Sequence, residues 1–139
     1  MAYALINKRT QQTLATALDI AVTRRARRTG LLKRAGLPPS AGLLLAPCFV
    51  VHTAAMRFPI DLLFVDRNGQ VIRVVRRLKP WRIAGARNAY ATIELAAGAL
   101  DTCDVMPGDD LQLTAVPMLP HLDFATAVGK CDFVHQLVN

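Results

Sequence analysis

Apolar residues along this chain fall into short runs, separated by polar clusters rich in turn-forming residues. Runs of this length, alternating or unbroken, favour strands over helices. "AYALIN" (2–7) and "TLATALDIAV" (13–22) predict two strands joined by the polar stretch Asn7–Gln12. The second is ambiguous, because its leucines and alanines would also suit a helix. "TRRARRTGLLKRAG" (23–36) predicts a short helix, with Thr23 as N-cap and Gly36 before "LPPS" as the stop. The arginines at its start oppose the helix dipole, a small penalty.

"LLLAPCFVVHT" (43–53) reads as one strand, buried on both faces near its middle. The clearest local signal follows, in "IDLLFV-DRNG-QVIRVV", a β-hairpin with Asn68-Gly69 in its turn. A two-residue turn sets Val65 opposite Ile72, Leu63 opposite Val74 and Asp61 opposite Arg76. The other face pairs Leu62 with Val75 and Phe64 with Arg73. A one-residue slip in the turn would instead set Asp61 against Val75. Beyond the hairpin, "LKPWRIAGARNAY" (78–90) predicts a loop, "ATIELA" (91–96) a strand and "AGALDTCDV" (97–105) a helical turn. "MPGD" predicts a further turn and "DLQLTAV" (110–116) a last strand, while 117–139 is a tail with no clear pattern. The whole predicts a mainly β chain, a compact single-domain β-sandwich or barrel with one or two short flanking helices.

Composition narrows the class. At 139 residues, 53% hydrophobic and 19% charged, the chain has the length and content of one globular domain. Its longest apolar run, Leu43–Val51, is about half the ~20 residues a membrane-spanning helix needs. The N-terminus lacks the pattern of a secretory signal, so a cytoplasmic location is expected. Cys48, Cys103 and Cys131 form no C-x-x-C, and free thiols in a reducing compartment are expected. The net charge of +7 is uneven: 24–34 and 67–87 contain cations and no acid, whereas seven of the ten acids fall from Glu94 onward. Such asymmetry is compatible with a phosphate-bearing partner.

The central residues carry a longer pattern. "R-x-x-G-L-L-x-R-x-x-L-P-P-x-x-G-L-L-L" (27–45) precedes "H-T-x-x-M-x-F-P-I-D-x-x-F-x-D-x-x-G-x-V" (52–71), with "E-L-x-A-G" (94–98) and "P-G-D" (107–109) after it. This combination resembles the DUF192 family over roughly Val22–Leu113. The resemblance implies a compact, mostly β sandwich or barrel with short helices and brings no established activity. Many members carry Trp-Met-Lys-Asn-Thr where this chain has His52-Thr53 and the residues up to Met56, so a role tied to that tryptophan does not transfer.

Several residues are candidates for chemistry. His52, near Thr53, Asp61 and Glu94, could be a general base held by a carboxylate, or a histidine making one structural hydrogen bond. Asp61 could serve a cleft, or pair across the hairpin with Arg76. Glu94 shares a strand face with Thr92 and Ala96; if that face is internal, Arg27 or Arg34 could partner it. Cys48-x-x-x-His52 and Cys131-x-x-x-His135 repeat a ligand-like spacing, but four strand residues span roughly 13 Å, so no metal site is expected. The single serine, Ser40, lies outside any nucleophile elbow, and no phosphate loop or dinucleotide fingerprint is present.

The expected site is a concavity around His52, Thr53, Met56, Asp61 and Glu94, rimmed by Arg34, Arg57 and Arg76. It would bind a small anionic ligand or a partner without catalysis and without a cofactor. One alternative is nucleic-acid binding through basic segments 24–34 and 73–82, with Trp81 beside cations; Trp81 equally suits a loop anchor. Another is an enzyme with a His/carboxylate acid–base site. The expected state is a monomer or weak homodimer away from membranes.

Overall fold

The structure, a computed structural model, describes residues 2–23, 35–115 and Phe124. Among the described residues nine strands run in chain order: β1 (Tyr3–Asn7), β2 (Thr13–Ala21), β3 (Ala41–Leu45), β4 (Val50–His52), β5 (Ile60–Val65), β6 (Val71–Leu78), β7 (Ile83–Gly85), β8 (Ala91–Ala96) and β9 (Leu111–Ala115). Seven form one sheet in the order β6-β5-β8-β3-β2-β1-β9, and β4 pairs with β7 in a separate two-stranded sheet. All neighbours in the large sheet are antiparallel except β2 and β3.

The large sheet curls until its two outer strands meet at one end. There Val71 N–H donates to Asp109 O at 2.8 Å, Gly108 N–H to Val71 O at 2.8 Å and Leu111 N–H to Gly69 O at 2.9 Å. The result is a half-barrel. Its concave side holds the larger core, including Leu5, Leu18, Leu44, Leu63, Ile93, Leu95 and Phe124. A second core of Leu43, Leu45, Val51, Met56, Ile60, Leu62, Phe64 and Ala84 lies on the opposite face, where the β4–β7 sheet covers it. β5 and β8 are therefore buried on both faces, and every residue of each is buried. This is why "IDLLFV" reads as an almost unbroken apolar strand instead of an alternating one.

β2 is a strand, which resolves its ambiguity; it reaches β1 on one side and β3 on the other. The expected single strand over 43–53 is corrected: it divides into β3 and β4, which belong to different sheets. Pro47 lies between them and has no N–H to give a ladder, so pairing stops there. The expected loop 78–90 likewise contains the short strand β7. The expected helical turn at 97–105 is a series of tight turns, with Ala99 N–H to Ala96 O, Asp101 N–H to Gly98 O and Cys103 N–H to Leu100 O. The expected helix over 23–36 falls almost wholly outside the described residues. So does the tail beyond 117, apart from Phe124, which is 1% exposed in the core.

The hairpin register is partly as expected. Leu62↔Val75, Leu63↔Val74 and Phe64↔Arg73 hold, but Val65 faces Val71 instead of Ile72. The turn is one residue longer than expected: Asp66 N–H donates to Gln70 O, Gly69 takes φ 84°, and Asp66 Oδ1 accepts from Asn68 and Gln70 N–H. A bulge next to Ile72 absorbs the difference and restores the register beyond it.

Candidate functional site

His52, Asp61 and Glu94, nominated for one polar site, lie on three different faces. His52 is exposed at the end of β4, opposite Ile83. Asp61 and Glu94 lie on adjacent strands, but the partner of Asp61 is Leu95 and that of Glu94 is Leu62. One step of register sends their side chains to opposite faces of the sheet. Asp61 therefore shares the concave face with Leu63 and Leu95, while Glu94 shares the other with Leu43 and Leu62.

Asp61 has no solvent exposure, and its carboxylate is held by backbone alone. Oδ1 accepts from Arg77 N–H at 2.8 Å; Oδ2 accepts from Gly98 N–H and Leu100 N–H, each at 3.1 Å. The expected ion pair with Arg76 is thus corrected. A second bulge, where Arg77 takes φ 52°, interrupts the register between Leu62 and Ile60 and presents an N–H to the acid; the Arg76 side chain is exposed. Buried carboxylates need such donors, and three charge-assisted bonds offset much of the desolvation. Asp61 joins β5, the β6 bulge and the loop after β8.

Thr53 is also a joint. Its hydroxyl donates to Lys79 O at 2.7 Å and accepts from Arg82 N–H at 2.9 Å, while its backbone N–H donates to Arg82 O and its carbonyl accepts from Trp81 N–H. Met56 is 6% exposed in the second core, and Glu94 is 4% exposed. Arg57 and Arg76 are solvent-exposed, and Arg34 lies outside the described residues together with Arg27. Cys48 is half-buried, with its thiol on Val50 O at 3.2 Å. Among the described residues, no three His, Cys, Asp or Glu side chains come together as a metal cluster would require. Also among them, no helix is long and apolar enough to cross a membrane.

Sequence reasoning missed two features. The first is a polar cluster at the closed end of the half-barrel. Asp109, 5% exposed, accepts from Arg9 Nε at 2.6 Å, Asn7 Nδ2 at 2.9 Å and Met106 N–H at 3.0 Å. Chiefly through the Arg9 hydrogen bond, its pKa falls from 3.8 to about 2, while Arg9 moves upward for the same reason. The "P-G-D" turn was visible in the sequence. Its partner Arg9, a hundred positions earlier, has no local signal.

The second is a cleft of about 740 Å³. It lies between the start of β2 (Thr13–Thr16), the 36–40 turn, Phe58-Pro59 and the Ala96–Cys103 turns. Three quoted motif segments therefore meet at its walls, those around "L-P-P", "F-P-I-D" and "E-L-x-A-G". Asp61, through Gly98 and Leu100, fixes the backbone of one wall.

A curled half-barrel, backed by a two-stranded sheet and with motif segments round one cleft, defines a small, mainly β domain. The model of the DUF192 family, described as Uncharacterized ACR, matches residues 5–113. The chain belongs to the DUF192 family. Two crystal structures share the fold. One, from Sinorhizobium meliloti 1021 and provisionally assigned as a transcription regulator, superposes with TM-score 0.70 at 24% identity, covering 80% of this chain and 91% of that one. The other, a protein of unknown function from Novosphingobium aromaticivorans, gives TM-score 0.68 at 18% identity over 80% and 83% of the two chains. No curated protein matches the sequence.

Proposed function

We propose that this DUF192 protein is a non-catalytic binding domain whose ligand is a small organic anion with an apolar body, taken up in the 740 Å³ cleft. The observation that supports this reading is the lining. Leu14, Leu37 and Phe58 offer apolar surface, Thr16, Ser40 and Thr102 offer hydroxyl donors, and no carboxylate is among the described lining residues. Concave sites with mostly apolar walls and a few polar groups are the usual form of small-ligand sites. A carboxylate or phosphate head fits those donors and the excess of cations in the chain, whereas a cationic head would meet no counter-charge. Against a His/carboxylate site built on His52, Asp61 and Glu94 stands their dispersal, which keeps these three from serving one substrate together.

Thermal unfolding against a panel of short-chain carboxylates and phosphate monoesters tests the reading. A ligand at a hundred times its Kd stabilises by about 2.7 kcal/mol, which raises Tm by roughly 9 °C for a domain of this size. The variant Ala97→Phe, which places a ring in the cleft, should abolish that rise while remaining folded. Failure of the whole panel, or a rise that persists in Ala97→Phe, removes the cleft as the site.

A further inference from the structure

At and beside the β4–β7 sheet, several large apolar side chains are exposed. Phe49 is 59% exposed, Val50 51%, Trp81 69% and Ile83 75%. His52, also exposed, stands on the same strand face as Val50 and opposite Ile83. Val51 and Ala84 point the other way, into the second core. Together the four large apolar residues expose on the order of 500 Å², taking about 150–250 Å² per fully exposed aromatic. That is the size of the largest apolar patch on a typical monomer, and such a patch is often functional.

Three of these side chains are planar rings: Phe49 just before β4, His52 at its end, and Trp81 beside Thr53. The backbone beneath them is pinned. Ala86 N–H donates to Phe49 O at 2.9 Å, Trp81 N–H to Thr53 O at 3.0 Å, and the Thr53 hydroxyl holds Lys79 and Arg82. Exposed Arg57, Arg73, Lys79, Arg82 and Arg87 belong to the same stretch of chain. Arg73 is placed directly, since its Nη1 donates to Gly85 O at 2.7 Å at the end of β7. Between residues 49 and 90 the acids are Asp61, which is fully buried, and Asp66, whose Oδ1 is occupied by two turn amides.

We infer that this face binds single-stranded nucleic acid, with unpaired bases stacked on Phe49, His52 and Trp81 and the phosphates met by the surrounding cations. Aromatic rings on a sheet surface stack two or three bases in the common sheet-based modules, and every base has a face to offer. Phe49 and His52 are three residues apart, roughly 10 Å of extended chain, which suits a short run of bases. A second copy of the chain is disfavoured as occupant, because two cationic faces repel. A membrane surface suits the charge, but rings spread along a pinned two-stranded sheet form a platform and not an insertion loop. The inference is independent of the cleft, whose lining shares no residue with this face.

Trp81 is the only tryptophan, so its fluorescence reports on this face directly. The test titrates the full chain with a single-stranded oligothymidylate at low salt, with duplex DNA of the same length and with phosphatidylglycerol vesicles in parallel. Saturable quenching by the single strand, weaker binding of the duplex and a decline with added salt are expected. By anisotropy of a labelled oligonucleotide, Phe49→Ala and Trp81→Ala should each lose roughly 5- to 150-fold in affinity. Both residues are exposed, so circular dichroism should be unchanged. Equal affinity for duplex, or Trp81→Ala binding as tightly as the parent, would reduce the face to a nonspecific cationic surface and overturn the inference. A blue shift with vesicles and no response to oligothymidylate would overturn it in favour of a lipid surface.

Discussion

Replacing Asp61 with asparagine tests the idea that this acid is a structural fastener. In the native protein two carboxylate oxygens, fully buried, accept three backbone N–H bonds at 2.8, 3.1 and 3.1 Å. Asparagine keeps the shape but has one acceptor oxygen, and its NH₂ must face an amide that also donates. If the oxygen takes the Oδ2 position, it keeps Gly98 and Leu100 and abandons Arg77; the reverse orientation abandons two donors. Each charge-assisted bond contributes about 1.5–3 kcal/mol, and each buried N–H left without an acceptor costs about 1–3 kcal/mol. Part of this is returned, because the neutral amide no longer carries the desolvation cost of a buried charge. The expected net loss is about 3 kcal/mol, or roughly 10 °C in Tm at this chain length. Urea denaturation should show a lower midpoint with an unchanged m-value, and amide exchange should accelerate at Arg77, Gly98 and Leu100 before the rest of the sheet. An Asp61→Asn protein within 1 kcal/mol of the parent would refute the reasoning, since the fastening would then not depend on the charge.

Two further outcomes follow from other polar joints. The pKa of Asp109 is lowered to about 2 in the folded protein, first by its hydrogen bond from Arg9, so its contribution is complete above pH 3.8 and disappears as pH falls toward 2. Denaturation between pH 2 and 5 should show an acid-sensitive loss of stability that Arg9→Ala reduces, and a smaller one at high salt, because the Arg9 side chain is 40% exposed. Thr53→Val should cost about 1–3 kcal/mol, since Lys79 O and Arg82 N–H both lose their hydroxyl partner. Its signature should be a fall in Trp81 fluorescence anisotropy at temperatures well below unfolding.

The legible parts of the sequence were those governed by neighbours in the chain. β1, β5, β6, β8 and β9 follow from apolar runs, and the middle of the hairpin register follows from face matching. The two bulges were not legible, because a third turn residue and an extra residue at Arg76–Arg77 leave the local pattern unchanged while moving Asp61 off its expected partner. β7 was hidden because three residues, flanked by Trp81 and Arg87, carry too little periodicity. Asp61 and Glu94 both looked like buried acids of one site; only the pairing of β5 with β8 shows that they face opposite ways. Trp81 suited a loop anchor by composition, yet the backbone around Thr53 turns it outward, where it is 69% exposed.

β1 lies between β2, its neighbour in sequence, and β9, whose Leu113 pairs with Leu5 from more than a hundred positions later. During synthesis β1 therefore waits with one edge open until β9, more than a hundred residues later, has left the ribosome. The same holds for the seam at Gly69 and for Phe124, which packs on that glycine. Pairings of such long sequence separation make folding slow and late. The nascent chain thus exposes an apolar strand edge throughout that interval, and the need to shield that edge is set by the order of strands in the sheet.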